Sequence, residues 1–92
     1  MVADHPDTGH FRIRSLLKED EFIEIFEFYF SGKLLKYSYS YIKDDKLILR
    51  YDNAPHHPEI QTHPHHKHLK NEIQPLKKPI LTEFINDAKK CY

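Results

Sequence analysis

Residues 22–41 read FIEIFEFYFSGKLLKYSYSY, two runs of β-branched and aromatic residues joined by Ser31-Gly32. No other stretch limits the fold as much. Phe, Tyr and Ile suit a pleated, half-buried surface. A Ser-Gly pair closes a two-residue hairpin because glycine takes positive φ without a Cβ clash. Pairing Phe30 with Lys33 then sets Phe28 against Leu35, Phe26 against Tyr37, Glu24 against Tyr39 and Phe22 against Tyr41. The aromatic sides of the two strands are therefore expected to coincide.

KLILRYD (46–52) is a third strand, with Leu47, Leu49 and Tyr51 on one side and Ile48, Arg50 and Asp52 on the other. A two-residue loop at Asp44-Asp45 would set Arg50 opposite Tyr39 and mismatch the faces. A three-residue loop, pairing Tyr39 with Leu49 or Tyr51, is expected instead. Earlier in the chain, Phe11, Ile13 and Leu17 alternate with Arg12 and Arg14, the pattern of a short strand with one buried face. At the C-terminus, PILTEFINDAKKCY places Ile80, Leu81, Phe84, Ile85 and Ala88 at helical spacing, with Lys89 and Lys90 complementing the helix dipole. That apolar stripe needs a surface, and the Phe/Tyr face of the sheet offers a large one. The expected fold is α+β: an antiparallel β-meander of about four strands with one C-terminal amphipathic helix packed on its aromatic face. Its core is expected to contain Phe26, Phe28, Tyr37, Tyr39, Leu49, Phe84 and Ile85.

A chain of 92 residues makes one domain, residues 1–92. Residues 1–10 read as a mobile tail and residues 53–75 as a long His/Pro-rich loop, with a short strand near His68 to Ile73 to shorten it. Fourteen Lys plus Arg match fourteen Asp plus Glu, which excludes a uniformly basic nucleic-acid binder. The acids Glu19, Asp20, Glu21, Glu24 and Glu27 read as a solvated face. From Lys67 onward, six lysines against three acids leave a local excess of three positive charges for RNA phosphates or an acidic partner. The single cysteine, Cys91, excludes an internal disulfide framework and a four-cysteine zinc site, and suits a reducing cytoplasm. No apolar run is long enough to span a membrane, and the N-terminus lacks the order of a signal peptide.

Six of the eight histidines, His56, His57, His63, His65, His66 and His68, fall within thirteen positions directly after the strand end Arg50-Tyr51-Asp52 and the turn Asn53-Ala54-Pro55. Three readings compete. In the first, two imidazoles drawn from His56, His57, His65, His66 and His68 act as general base and general acid in phosphodiester transfer. Arg50, Lys67 or Lys70 would then stabilise the phosphorane, and Tyr51 would position phosphate or base. That chemistry requires no metal and no cofactor. In the second, His63, His65, His66 and His68 bind zinc, nickel or copper; alternation along an extended segment points His66 and His68 to the same side. In the third, the segment is a solvated, turn-rich loop whose imidazoles cap carbonyls. Arg50 and Asp52, on one sheet face, read as an exposed ion pair beside the loop.

The blocks RYDNAPHH, ending a strand, and PHHKH, after a short gap, resemble the TumE family of toxins from prokaryotic toxin–antitoxin modules. The resemblance covers residues 46–68, and its motif positions are Arg50, Asp52, Asn53, His56, His57, His65, His66 and His68. It implies a cytoplasmic toxin whose partner is a cognate antitoxin with a helix-turn-helix part. It also implies RNA as the target, cut by a small endoribonuclease. The alternative is a metal-binding or protein-interaction module that uses the His-rich loop as ligand or contact surface. Self-association is left open.

Overall fold

The computed structural model describes residues 8–91. It is one antiparallel sheet of six strands in sequence order, followed by a helix. The strands are β1 (Gly9–Lys18), β2 (Glu21–Phe30), β3 (Lys33–Lys43), β4 (Lys46–Asp52), β5 (His66–Leu69) and β6 (Glu72–Pro75), and the helix is α1 (Leu81–Lys89). Of the expected tail, residues 1–7 lie outside the described residues, while Gly9 and His10 already belong to β1. Six strands replace about four because the His/Pro segment does not remain irregular. From His66 it runs back along β4, turns at Lys70 with φ 56°, and returns as β6, so the loop proper is residues 53–65.

The hairpin turns use left-handed backbone at both central positions: Ser31 and Gly32 at φ 52° and 80°, Asp44 and Asp45 at φ 52° and 62°. These primed turns match the right-handed twist of the flanking strands. The second loop is thus two residues long rather than three. The mismatch it would cause is removed by a bulge, with Ile42 paired to Leu47 and Tyr41 to Leu49, so that Ile48 is the extra residue and Tyr39 still faces Tyr51.

A second bulge changes the first hairpin. Phe30 pairs with Lys33 as expected, but Tyr29 pairs with Leu34 and Phe28 with Lys36, leaving Leu35 as the extra residue. Beyond it the register is shifted by one: Glu27 faces Tyr37, Ile25 faces Tyr39 and Ile23 faces Tyr41. A one-residue shift exchanges faces. Phe22, Phe26 and Phe28 therefore lie on the opposite side of the sheet from the tyrosines, and the expected placement of Phe26 and Phe28 in the core is overturned. Tyr37, Tyr39 and Tyr41 are core, at 3%, 1% and 0% exposure. Two of the acids expected in a solvated face go under with them. Glu27 accepts from the Tyr39 and Tyr29 hydroxyls and Glu21 from that of Tyr41, at 2.7 Å for the last.

The helix lays Phe84 and Ala88, both fully buried, on this tyrosine face. The Phe84 ring lies 5.8 Å from that of Tyr39 and 5.4 Å, edge-on, from that of Tyr51. Leu49 is buried in the same core and Ile85 packs at its edge. A nine-residue helix spans only about 14 Å and covers β3 and β4. The expected buried face of β1 is consequently open: Phe11, Ile13 and Leu17 are all exposed. No helix among the described residues is long and apolar enough to cross a membrane.

Candidate functional site

On the sheet face away from α1, register brings Arg50 opposite His68 and Asp52 opposite His66. Strand alternation sorts the histidine segment accordingly. His66 and His68 point to this face, as their spacing predicts, while His65 and Lys67 point to the helix side. Asp52 is 8% exposed and His66 2%. His66 Nε2 lies 2.8 Å from Asp52 Oδ1 and 3.1 Å from His68 Nε2, and His68 Nε2 is 3.6 Å from Asp52 Oδ2. The other ring nitrogen of His66, Nδ1, is 3.0 Å from the Pro64 carbonyl; since a carbonyl only accepts, Nδ1 carries the proton. The Ala54 N–H donates to Asp52 Oδ1 at 3.1 Å and helps hold the carboxylate.

The loop supplies a third imidazole. Short turn bonds, Ile60 N–H to His57 O and His63 N–H to Ile60 O, fold residues 53–65 back over the strand ends. His57 then lies edge-on to His66 and His68, with ring centroids 5.0 and 5.9 Å away. Its Nδ1 is 3.3 Å from Glu59 Oε2. Ligand-competent atoms of His57, His66 and His68 all lie within 4.8 Å of one another. Burial lowers the His68 pKa; the Asp52 carboxylate opposes this, and positive charge on His66, Arg50 and His57 adds to it. His57 and His68 keep about a quarter of their side-chain surface exposed, at 26% and 27%.

The remaining sequence candidates fall elsewhere. His56 and His63 are exposed on the loop. The His65 Nδ1 lies 2.9 Å from the Tyr37 hydroxyl, the rings stack at 5.8 Å, and burial lowers its pKa. Of HxHHxH, the structure gathers His66 and His68 and replaces the others with His57. Tyr51 is buried and donates to Asp87 at 2.7 Å, and Lys67 also reaches Asp87 at 3.0 Å. Lys70 is exposed in the β5–β6 turn. Arg50 donates to Ser40 Oγ at 2.9 Å, while Asp52 is engaged by the imidazoles. Asn53 serves the fold: its amide donates to Leu35 O at 2.9 Å and its Oδ1 accepts from Tyr37 N–H at 3.1 Å. It thereby occupies backbone groups of β3 that β4, whose pairing ends at Ser38 and Asp52, no longer reaches.

The register shift also adds residues that the sequence reading did not assign to a site. Arg12 and Arg14 lie over the Phe26 and Phe22 rings at 4.9 and 4.4 Å, on the same face as Arg50. A cavity of about 250 Å³ beside Asp52 is lined by Phe26, Lys36, Ser38 and Asn53. The signal for this was period-2 alternation in β1, legible only once the bulge at Leu35 fixes which face is which.

A six-stranded meander with one helix on its tyrosine face and an Asp-backed imidazole cluster on the other defines a small α+β domain with a built polar site. The chain belongs to the TumE toxin family, whose model matches residues 1–90. Toxins of this kind are paired with a cognate antitoxin. No curated protein and no solved structure matches the chain.

Proposed function

We propose that this toxin is a cytoplasmic endoribonuclease, and that it cleaves RNA at the cluster of Asp52, His57, His66 and His68. The supporting observation is the clustering of three imidazoles, two of them on a buried carboxylate, on the face that also carries Arg50, Lys36 and the Phe26 ring with Arg12 over it. Phosphodiester transfer needs one group to take the 2′-hydroxyl proton, one to protonate the leaving oxygen, and positive charge at the phosphorane. His57 and His68 are the imidazoles that reach solvent, one from the loop and one from β5, so they approach a phosphate from two directions. His66, buried on Asp52, is a positioning residue that fixes His68. Arg50, held by Ser40, is cross-strand from His68 and supplies charge. The cavity at Phe26 accepts a splayed base, with Lys36 near its phosphate. The antitoxin, through a segment attached to a helix-turn-helix part, would block this face.

The test is cleavage of RNA by purified toxin in the presence of chelator. His57→Ala and His68→Ala should each lower the rate by about 10² to 10⁴, with circular dichroism unchanged. Wild-type rates in both folded variants would refute the assignment.

A further inference from the structure

We propose that the cluster is a binding site for a zinc-class divalent ion, held by His57, His66, His68 and Asp52, and that the bound ion silences the toxin. The first half stands on geometry alone; the second rests on the RNA-cleavage reading.

His66 carries the argument. Its Nδ1 proton is committed to Pro64 O, so in the neutral ring Nε2 is a bare lone pair. That lone pair lies 2.8 Å from a carboxylate oxygen and 3.1 Å from His68 Nε2. Acceptors gathered this closely, inside a site where His66 is 2% exposed, call for a cation among them. A proton can bridge only two of these atoms at once. A metal ion satisfies all of them. With metal–nitrogen bonds of about 2.0–2.1 Å, the edge of a tetrahedron is about 3.3 Å. The 3.1 Å between His66 and His68 Nε2, and the 2.8 and 3.6 Å from these to Oδ1 and Oδ2 of Asp52, lie on either side of that edge, and the carboxylate offers either oxygen as the ligand. His57, whose ligand atom lies within 4.8 Å of those of His66 and His68, completes the set by moving inward on its loop.

The outer shell fits as well. Ligating histidines characteristically give their second nitrogen to a carbonyl or carboxylate, which fixes tautomer and orientation. His66 does so to Pro64 and His57 to Glu59. Three imidazoles and one carboxylate suit zinc, cobalt, nickel or copper rather than magnesium or calcium, which prefer oxygen. Four protein donors also form a closed shell, with no position left for reactive water. An ion so held occupies the very lone pairs that His57 and His68 would use to move protons. The ion-bound toxin is therefore the quiet form.

The experiment begins with untagged protein stripped by chelator and dialysed. Co(II) is titrated in and read by its visible absorption, and Zn(II) is titrated by calorimetry. One equivalent should bind. His57→Ala, His68→Ala and Asp52→Asn should weaken binding by at least about tenfold, whereas His63→Ala, exposed and outside the cluster, should leave it unchanged. Failure to bind, or equal affinity in all variants that circular dichroism shows to be folded, overturns the site. RNA cleavage should fall on adding one equivalent of Zn(II) and return with chelator. Cleavage that instead requires Zn(II) overturns the silencing role and the proton-transfer reading, and keeps the ion site. Binding with no cleavage under any condition overturns the ribonuclease reading alone.

Discussion

Asn53 illustrates how a site motif can be structural at the level of a single residue. Its carboxamide stands in for the missing ladder partners of Leu35 and Tyr37, continuing the β3–β4 pairing one step beyond the end of β4. Replacing it by Ala removes two hydrogen bonds and should cost about 1–2 kcal/mol, read as a lower urea midpoint. Asn53→Asp, which keeps an acceptor for Tyr37 N–H but sets a carboxylate oxygen against Leu35 O, should cost at least as much. No change in either variant would mean that other contacts hold the end of the β3–β4 ladder. At this scale part of the site was legible in sequence. The i, i+2 spacing of His66 and His68 in an extended segment puts them on one face, and a strand ending at Asp52 places a carboxylate nearby. His57 could not be told from His56 or His63 by spacing, because its position depends on turn bonds at residues 57–63 that leave no periodic signature. The same holds for His65, whose place beside Tyr37 follows from a strand boundary that the prolines concealed.

For the elements, the question is what holds α1 to the sheet. Its anchor is Phe84, fully buried between Tyr39 and Tyr51, so Phe84→Ala should cost about 3–5 kcal/mol in a denaturant titration. A loss below about 1 kcal/mol would place the helix elsewhere. A polar tie reinforces the anchor: Tyr51 and Lys67 both donate to Asp87. Burial alone would raise the Asp87 carboxyl, but these two donors outweigh it and hold the pKa below its ordinary 3.8. A carboxylate whose folded pKa lies below its unfolded one adds stability above the unfolded value, and this is lost as pH falls through the folded one. Asp87→Asn should therefore shrink the stability difference between neutral pH and pH below about 4. Equal acid sensitivity in wild type and variant would show that the tie contributes nothing. The strands, their order up to β4 and the helix could be read from alternation and spacing. The bulges could not, because an extra residue at Leu35 or Ile48 changes register without changing composition. That is why the paired aromatic faces expected from the hairpin separate into a tyrosine core and a phenylalanine surface.

Taken whole, the molecule is neutral, yet its charges are not spread evenly. One sheet face is shielded by the helix. The other presents Arg12 over Phe26, Lys36 at the cavity rim and Arg50 beside the imidazoles, while Arg14 is neutralised by Glu24 at 2.6 Å. If RNA lies on this face, Arg12 and Lys36 meet phosphates and release counterions, so log K falls with log salt at about 0.7 per phosphate contact for a single strand. Arg12→Ala and Lys36→Ala should each weaken binding to single-stranded RNA and flatten that slope by roughly one contact. Lys89→Ala, exposed at the end of α1 beyond the opposite face, should leave the slope unchanged. Both arginine and lysine variants alter charge far from the tyrosine core, so thermal midpoints should stay near wild type. Binding would be followed by fluorescence anisotropy at several salt concentrations, using a cleavage-deficient His68→Ala background so that the RNA stays intact. A slope that responds to Lys89 as strongly as to Lys36 would move the RNA off the imidazole face, and with it the case for cleavage there.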